Sequence, residues 1–315
     1  MMKLQVLDQN PPSFAGAVVE ILNSALPQAS TFSPPDAAKS LNELSRPFLD
    51  ASNAESQCNA AGFLWWFWQL IHDLSRQIPH DSLEQDRLVA IIKELRDLPS
   101  KTIILDGWGP AQVWAGLPLF GSTLREEWDS VFSHLRCYHS TTNLLYTGDG
   151  AAPMDSDLKQ RFLNLHSYAA RIAGLGLVPL ECYAIWALTD ALEGVMTPIR
   201  GAPDEVNPNP AAVEDLPFKV AAAAEWIINA GHVLYGRDEE VYGTAGGPLW
   251  RLDKAEARRF RRKYRGTQGL CPARWTLWKQ RFSVIRDSDE VDQGTRIVAG
   301  RAYGSMEIVE SAEWK

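Results

Sequence analysis

The chain has 315 residues, 45% of them hydrophobic, and a formal net charge of −8 at pH 7. That much apolar material supplies a large core and excludes disorder as the default state. The acidic balance excludes a protein that coats nucleic acid or an anionic membrane with its whole surface. Cys58, Cys137, Cys182 and Cys271 lie far apart and form no C-x-x-C pair, so neither a disulfide framework nor a zinc knuckle is expected, and a reducing compartment fits. No apolar run approaches the about 20 residues of a membrane span, and the opening MMKLQVLDQNPPS lacks a signal-peptide core. The expectation is a cytoplasmic protein with no membrane partner.

Apolar residues recur mainly with helical spacing, which predicts an all-α fold: a single irregular multi-helix domain over residues 1–315, with no internal repeat. The first strong element is Phe63-Leu64-Trp65-Trp66-Phe67-Trp68-Gln69-Leu70-Ile71-His72-Asp73. At about 100° per residue, Phe63, Trp66, Phe67, Leu70, Ile71 and Leu74 share a face that is expected to be core, with Trp68 at its edge. Trp65, Gln69, His72 and Arg76 fall opposite. Ser82-x-x-Gln85 predicts a capping box ahead of a helix whose stripe is Leu88, Ile91, Ile92 and Leu95. Residues 101–120, with Gly107, Gly109, Pro110, Gly116 and Pro118, read as a connection holding one short strand at 102–105. Thr123 to Glu126 predicts another capping box, with Leu124, Trp128, Val131, Phe132 and Leu135 on one face of the helix behind it.

Further on, Leu158, Phe162, Leu165, Ala169 and Ile172 form a stripe that Gly174 and Gly176 end, and a helix from about Leu180 to Glu193 follows Pro179. Five prolines between Met196 and Pro217 predict a surface loop over 196–217. The segment Phe218 to Tyr235 is apolar on nearly every side and reads as a buried helix. Residues 251–272 form a basic insertion: from Arg251 to Arg265, eight of fifteen residues are Lys or Arg against two acids. Two C-terminal helices follow, striped by Trp275, Trp278, Phe282 and Ile285 and by Val291, Val298, Ala302 and Val309.

Several blocks then carry a resemblance. Leu117-Pro118, Arg125-Glu126-Glu127-Trp128, Tyr183 to Leu188, Ala224-Glu225-Trp226-Ile227 with Gly231, Gly247-Pro248-Leu249-Trp250 and Arg274-Trp275-x-x-Trp278-x-x-Arg281-Phe282 resemble, in this order, the signature blocks of a fungal family of unknown function that includes the oxopyrrolidine biosynthesis cluster protein G. The resemblance runs from about Phe63 to the C-terminus. It implies an all-helical cytosolic protein with relatives in secondary-metabolite gene clusters, and it brings no established reaction. The basic insertion between Trp250 and Arg274 is longer than the family pattern expects.

The candidate site residues follow from amphipathic anomalies. Trp65 on a polar face is either covered by a second layer of protein or lines a ligand cavity with Gln69, His72 and Arg76. In the second case His72 supplies an imidazole that titrates near neutral pH. Glu225, Asn229 and His232 form a polar stripe on the apolar helix. Either it meets solvent, or it faces inward and needs a partner, for which Arg161, Asn164, Tyr168 and Arg171 are available. His72, Glu225 and His232 are thus the candidate catalytic groups, and Trp65, Gln69, Arg76, Asn229, Tyr168 and Arg171 the candidate ligand contacts. Asp190 and Glu193, in D-x-x-E spacing, are weak metal candidates without an aspartate-rich partner, so no metal and no cofactor are expected. No nucleotide-binding, zinc-protease or serine-hydrolase motif is present in the sequence.

These readings converge on binding of a small apolar metabolite, with cofactor-free cyclisation or isomerisation as the chemistry if the protein is an enzyme. One alternative is a non-enzymatic interaction module. The other is a transferase using a tRNA-linked substrate, with nucleic acid held through Arg258, Arg259, Arg261 and Arg262.

Overall fold

The computed structural model describes residues 3–49, 54–130, 156–200, 205–250 and 268–312. Most of the basic insertion, including Arg258, Arg259, Arg261 and Arg262, lies outside them, as do Val131, Phe132, Leu135 and Cys137 on which sequence expectations rested. The described residues are mostly α-helical, as the periodicity predicts, and form two compact units, residues 1–168 and 169–315. Among them no helix is long and apolar enough to cross a membrane, and Cys182 and Cys271 are unbridged.

The first unit contains α1 (Ala15–Ala25), α2 (Pro34–Leu49), α3 (Ala54–Ser75), α4 (Leu83–Arg96), a helix α5 over 120–130, and the first part of α6 (Ser156–Gly174). Helix α2 packs on α1, α3 and α4. The strand expected at 102–105 is present as β1 (Lys101–Leu105), and it forms an antiparallel hairpin with β2 (Gly109–Val113) in which Ile103 faces Ala111 in register. Gly107 and Gly109 take positive φ at its turn, a conformation open to glycine without steric cost.

Helix α3 corrects the expected face. Phe63, Leu64, Phe67, Trp68, Ile71, His72, Leu74 and Ser75 are buried, whereas Trp66 is 43% exposed. Apolar residues lie nearly all round this helix, so periodicity alone leaves its rotation open. The polar needs of the neighbouring chain fix it. In the segment 114–119, Trp114, Leu117 and Leu119 hold positive φ, a strain of about 1–3 kcal/mol each for such residues. The segment is pinned by hydrogen bonds from Trp68 Nε1 to the Pro118 carbonyl (2.9 Å) and from Trp114 Nε1 to Asn42 Oδ1 (2.8 Å). Turning Trp68 inward is what supplies the indole donor to the Pro118 carbonyl.

Both expected capping boxes are also revised. Ser82 is the N-cap residue of α4 but makes no side-chain cap bond. Gln85 is buried instead, its amide donating to the carbonyls of Ser75, Ile78 and Asn164. Thr123 lies inside α5, with its hydroxyl bonded to the Leu119 and Phe120 carbonyls. In each case tertiary demand for a donor outweighs the local motif.

The second unit holds the rest of α6, then α7 (Glu181–Leu192), α8 (Leu216–Leu234), α9 (Pro272–Asp287) and α10 (Gln293–Ser311). Helix α8 is packed by α7 and α10, and buries Val220, Ala223, Trp226, Ile227, Ala230 and Leu234. The described residues of the expected loop 196–217 are mostly exposed, but its first half carries a short antiparallel ribbon, β3 (Val195–Thr197) with β4 (Glu205–Asn207). Trp275, Trp278, Phe282 and Ile285 are buried on α9, as their stripe predicts.

The corrected rotation of α3 has a measurable outcome. Trp68→Ala is expected to cost about 3–5 kcal/mol, as loss of a core aromatic does, and Trp66→Ala to stay within about 0.5 kcal/mol. Urea unfolding midpoints of the two variants test this, and the reverse order would restore the original face.

Candidate functional site

The outward face of α3 forms one side of a half-open cleft of about 430 Å³, lined by Trp66, Gln69, Leu70, Asp73 and Arg76. Its other walls come from the N-terminal segment, through Val6, Leu7, Asp8, Pro11 and Pro12, and from Glu127 and Ser130 in the last described turn of α5. The N-terminal segment has no strand partner among the described residues, yet its backbone is held as a strand would hold it. Asn23 exchanges two hydrogen bonds with Leu4, accepting from its N–H (2.8 Å) and donating to its carbonyl (3.0 Å). Gln77 does the same with Gln5, at 3.0 and 2.8 Å. These two clamps keep Leu4 buried and set the segment against α3.

The polar end of the cleft is a chain of ion pairs. Arg76 Nη1 meets Glu127 Oε2 at 2.9 Å and lies 3.9 Å from Asp73 Oδ1, while Arg161 Nη2 binds that same Asp73 oxygen at 2.9 Å. Glu127 is largely removed from water. Burial pushes its carboxyl pKa up, against the lowering effect of the Arg76 guanidinium, with the Asp73 charge adding to the rise. Above this end Trp66 exposes its indole, and Leu7 is 51% exposed.

Of the residues singled out in the sequence, the cleft collects Gln69 and Arg76. His72 lies on the other side of α3, in the core. Its Nε2 donates to the Thr123 hydroxyl (3.1 Å) and the Phe120 carbonyl (3.3 Å), which leaves Nδ1 as an acceptor with no partner among the described residues. Burial drives its pKa down to about 3, only partly offset by the Phe120 bond. Tyr168 is equally buried with its ring 5.8 Å from His72, and its hydroxyl pKa is pushed well up by burial. Trp65 is half-buried and faces Trp108 of the hairpin turn, at 6.3 Å between rings, so a second layer partly covers it.

The α8 stripe belongs to the second unit, and of the four partners the sequence offers it, Arg161, Asn164, Tyr168 and Arg171, the last is the one paired with Glu225. Arg171 reaches Glu225 at 3.6 Å, and Asn229 donates to the Glu225 carboxylate (3.1 Å) and carbonyl (2.9 Å). His232 Nε2 donates to the Gly174 carbonyl at 2.9 Å, satisfying an orphan acceptor at the end of α6. A Cβ at Gly174 would fall 2.1 Å from the Asn229 carbonyl oxygen, so glycine is what lets α6 and α8 approach. Asp190 is exposed, whereas Glu193 is fully buried. Glu193 Oε1 accepts from Arg274 Nε (2.7 Å) and Trp278 Nε1 (2.7 Å), and Oε2 from Arg274 Nη2 (3.2 Å) and the Gly247 N–H (2.5 Å). That carboxylate has no oxygen to spare for a metal.

Sequence reasoning missed Trp66, Asp73, Glu127 and the N-terminal wall. Asp73 and Arg76 sit at i and i+3, a spacing that signals an ion pair, but nothing in the sequence places residues 6–12 beside them.

The geometry defines a mostly helical protein whose first unit carries an open cleft with an apolar body and an ion-paired end. Comparison with known families then places it: the chain belongs to the family described as protein of unknown function DUF3632, whose model matches residues 68–282. No curated protein and no solved structure matches it.

Two stability outcomes follow. Glu193→Ala leaves the Arg274 cation buried and unpaired, at an expected cost of about 3–5 kcal/mol in the urea-unfolding free energy; a change under about 1 kcal/mol would mean that water reaches the pair. His72 and His166, both with pKa lowered to about 3 by burial, bind protons in the unfolded chain below about pH 6.5 but not in the folded one. Stability is therefore fully present above pH 6.5 and falls as pH drops toward 3, by up to about 1.4 kcal/mol per pH unit for each histidine. Denaturant titrations at pH 7 and pH 5 check the sign, and equal midpoints would contradict it.

Proposed function

We propose that this chain binds a small apolar metabolite in the cleft of its first unit, as a cytoplasmic component of fungal secondary metabolism. The observation that carries the reading is the exposed Trp66 indole set beside Leu7, Leu70 and the two prolines in a cleft of about 430 Å³. That volume lies within the roughly 300–1,000 Å³ typical of small-molecule sites, which join apolar walls to placed polar groups, as Leu7, Trp66 and Leu70 here stand beside Asp8, Asp73, Arg76 and Glu127. The secondary-metabolic setting is supported by the resemblance to a family with members in biosynthetic clusters.

Of the cofactor-free chemistries expected from the sequence, cyclisation and isomerisation both need a proton donor or acceptor at the bound molecule. In the cleft that role falls to Glu127, which is largely buried, lines the site and has its pKa raised. His72 keeps its imidazole in the core, and Glu225 and His232 satisfy backbone and ion-pair needs of the second unit.

The test is titration with a neutral, environment-sensitive naphthalene dye. Wild-type protein is expected to bind it, Trp66→Ala to weaken binding roughly tenfold through lost apolar contact, and His232→Ala to leave it unchanged. Wild-type affinity in both Trp66→Ala and Leu70→Arg would remove the cleft from consideration.

A further inference from the structure

The polar end of the cleft also says which charge its ligand carries, an inference that rests on the cleft being the binding site. Gln69 Nε2 donates to Glu126 (3.3 Å), and Arg76 Nη1 is held by Glu127 at 2.9 Å with Asp73 at 3.9 Å, while Arg76 Nε is buried with no partner among the described residues. Two acceptors of the lining are open. Asp8 receives the Asn10 N–H on one oxygen (2.8 Å), and Glu127 is engaged through Oε2 alone, so each keeps one carboxylate oxygen without a hydrogen-bond partner among the described residues. Asp73, by contrast, is filled by Arg161 on Oδ1 and Gln77 on Oδ2 (3.2 Å).

The charges point the same way. Three carboxylates line the cleft, Asp8, Asp73 and Glu127, against one lining guanidinium, Arg76. Even with Arg161 behind Asp73 the sum is one negative charge in excess. An anionic ligand would meet three like charges and a single cation already ion-paired. A neutral acceptor would find Gln69 Nε2 and Arg76 Nη1 shared with carboxylates, and Arg76 Nε closed off by burial. A ligand carrying N–H donors and positive charge would meet the open oxygens of Asp8 and Glu127, with the exposed Trp66 indole as a further electrostatic partner for a cation.

We infer that the cleft selects a cationic amine with an apolar body, its ammonium group between Asp8 and Glu127 and its hydrocarbon against Trp66, Leu70 and Leu7. Charge-assisted hydrogen bonds are stronger than neutral ones, and the partly enclosed Glu127 is the better-shielded of the two acceptors. No bond is made or broken in this step.

The experiment uses the full chain and three probes of equal chain length, octylamine, 1-octanol and sodium octanoate, in calorimetric titrations near pH 7. Octylamine is expected to bind roughly tenfold or more tightly than octanol, and octanoate to show no binding. Glu127→Gln and Asp8→Asn should each reduce the octylamine advantage and leave octanol unaffected; Asp8 is exposed, so its variant carries little folding risk. If octanol binds and octylamine binds no better, the charge inference fails while the cleft reading survives. If none of the three binds, the cleft reading fails and takes the inference with it. Octanoate binding most tightly, or an amine advantage that persists in the Asp8→Asn/Glu127→Gln double variant, overturns the inference directly.

Discussion

The ion pair between Glu193 and Arg274 organises the second unit. Both side chains are fully buried, and an isolated charge at that depth would cost several kcal/mol. The chain therefore arranges itself to surround them. Arg274 also donates to the Gly269 and Ala245 carbonyls and to the Thr189 hydroxyl, and stacks against the rings of Trp278 and Trp250 at 5.2 and 5.9 Å. One guanidinium thus ties the end of α7, residues 244–250 and the start of α9 into a single arrangement. Gly247 is part of the same constraint, because a Cβ there would come within 2.6 Å of the Glu193 Cβ. The blocks Gly247 to Trp250 and Arg274 to Phe282, far apart in sequence, are two sides of one electrostatic requirement.

The first unit is organised by a different demand. There the backbone of 114–119 is strained, and α3 answers with the Trp68 indole donor to the Pro118 carbonyl, while His72 bonds Phe120 and Thr123 just beyond it. Turning these two residues inward turns Trp66 outward, so the rotation that satisfies the core also creates the exposed indole of the cleft. The site is a by-product of how the core was closed, set by one helix that is apolar on nearly every side.

That link explains what the sequence made legible and what it did not. The stripe of Trp275, Trp278, Phe282 and Ile285 read correctly because large apolar residues recur at three and four, although the burial of Arg274 and Arg281 beside it could not be read from that spacing. The partnership of Arg171 with Glu225 was legible because a carboxylate on an apolar helix needs a cation, and few were within reach of a neighbouring helix. The face of α3 was not legible, since Trp65, Trp66 and Trp68 give no net direction. Gln85 and Thr123 misled for a related reason: their local motif describes an isolated helix end, and the fold spent those side chains on distant or preceding carbonyls. The ribbon of β3 and β4 escaped notice because three residues per strand among prolines leave no alternation to read.

The clamps of Asn23 on Leu4 and Gln77 on Gln5 carry a consequence for how such a cleft diversifies. Two side-chain amides fix one wall, and that wall precedes residue 68, where the family match begins. The wall contributes Leu7, Asp8 and two prolines to the cleft but no hydrogen-bonded ladder to the body. Substitutions along it can therefore alter the shape and charge of the opening while the helices beneath keep their packing. The leading segment behaves as an interchangeable bezel on a fixed setting.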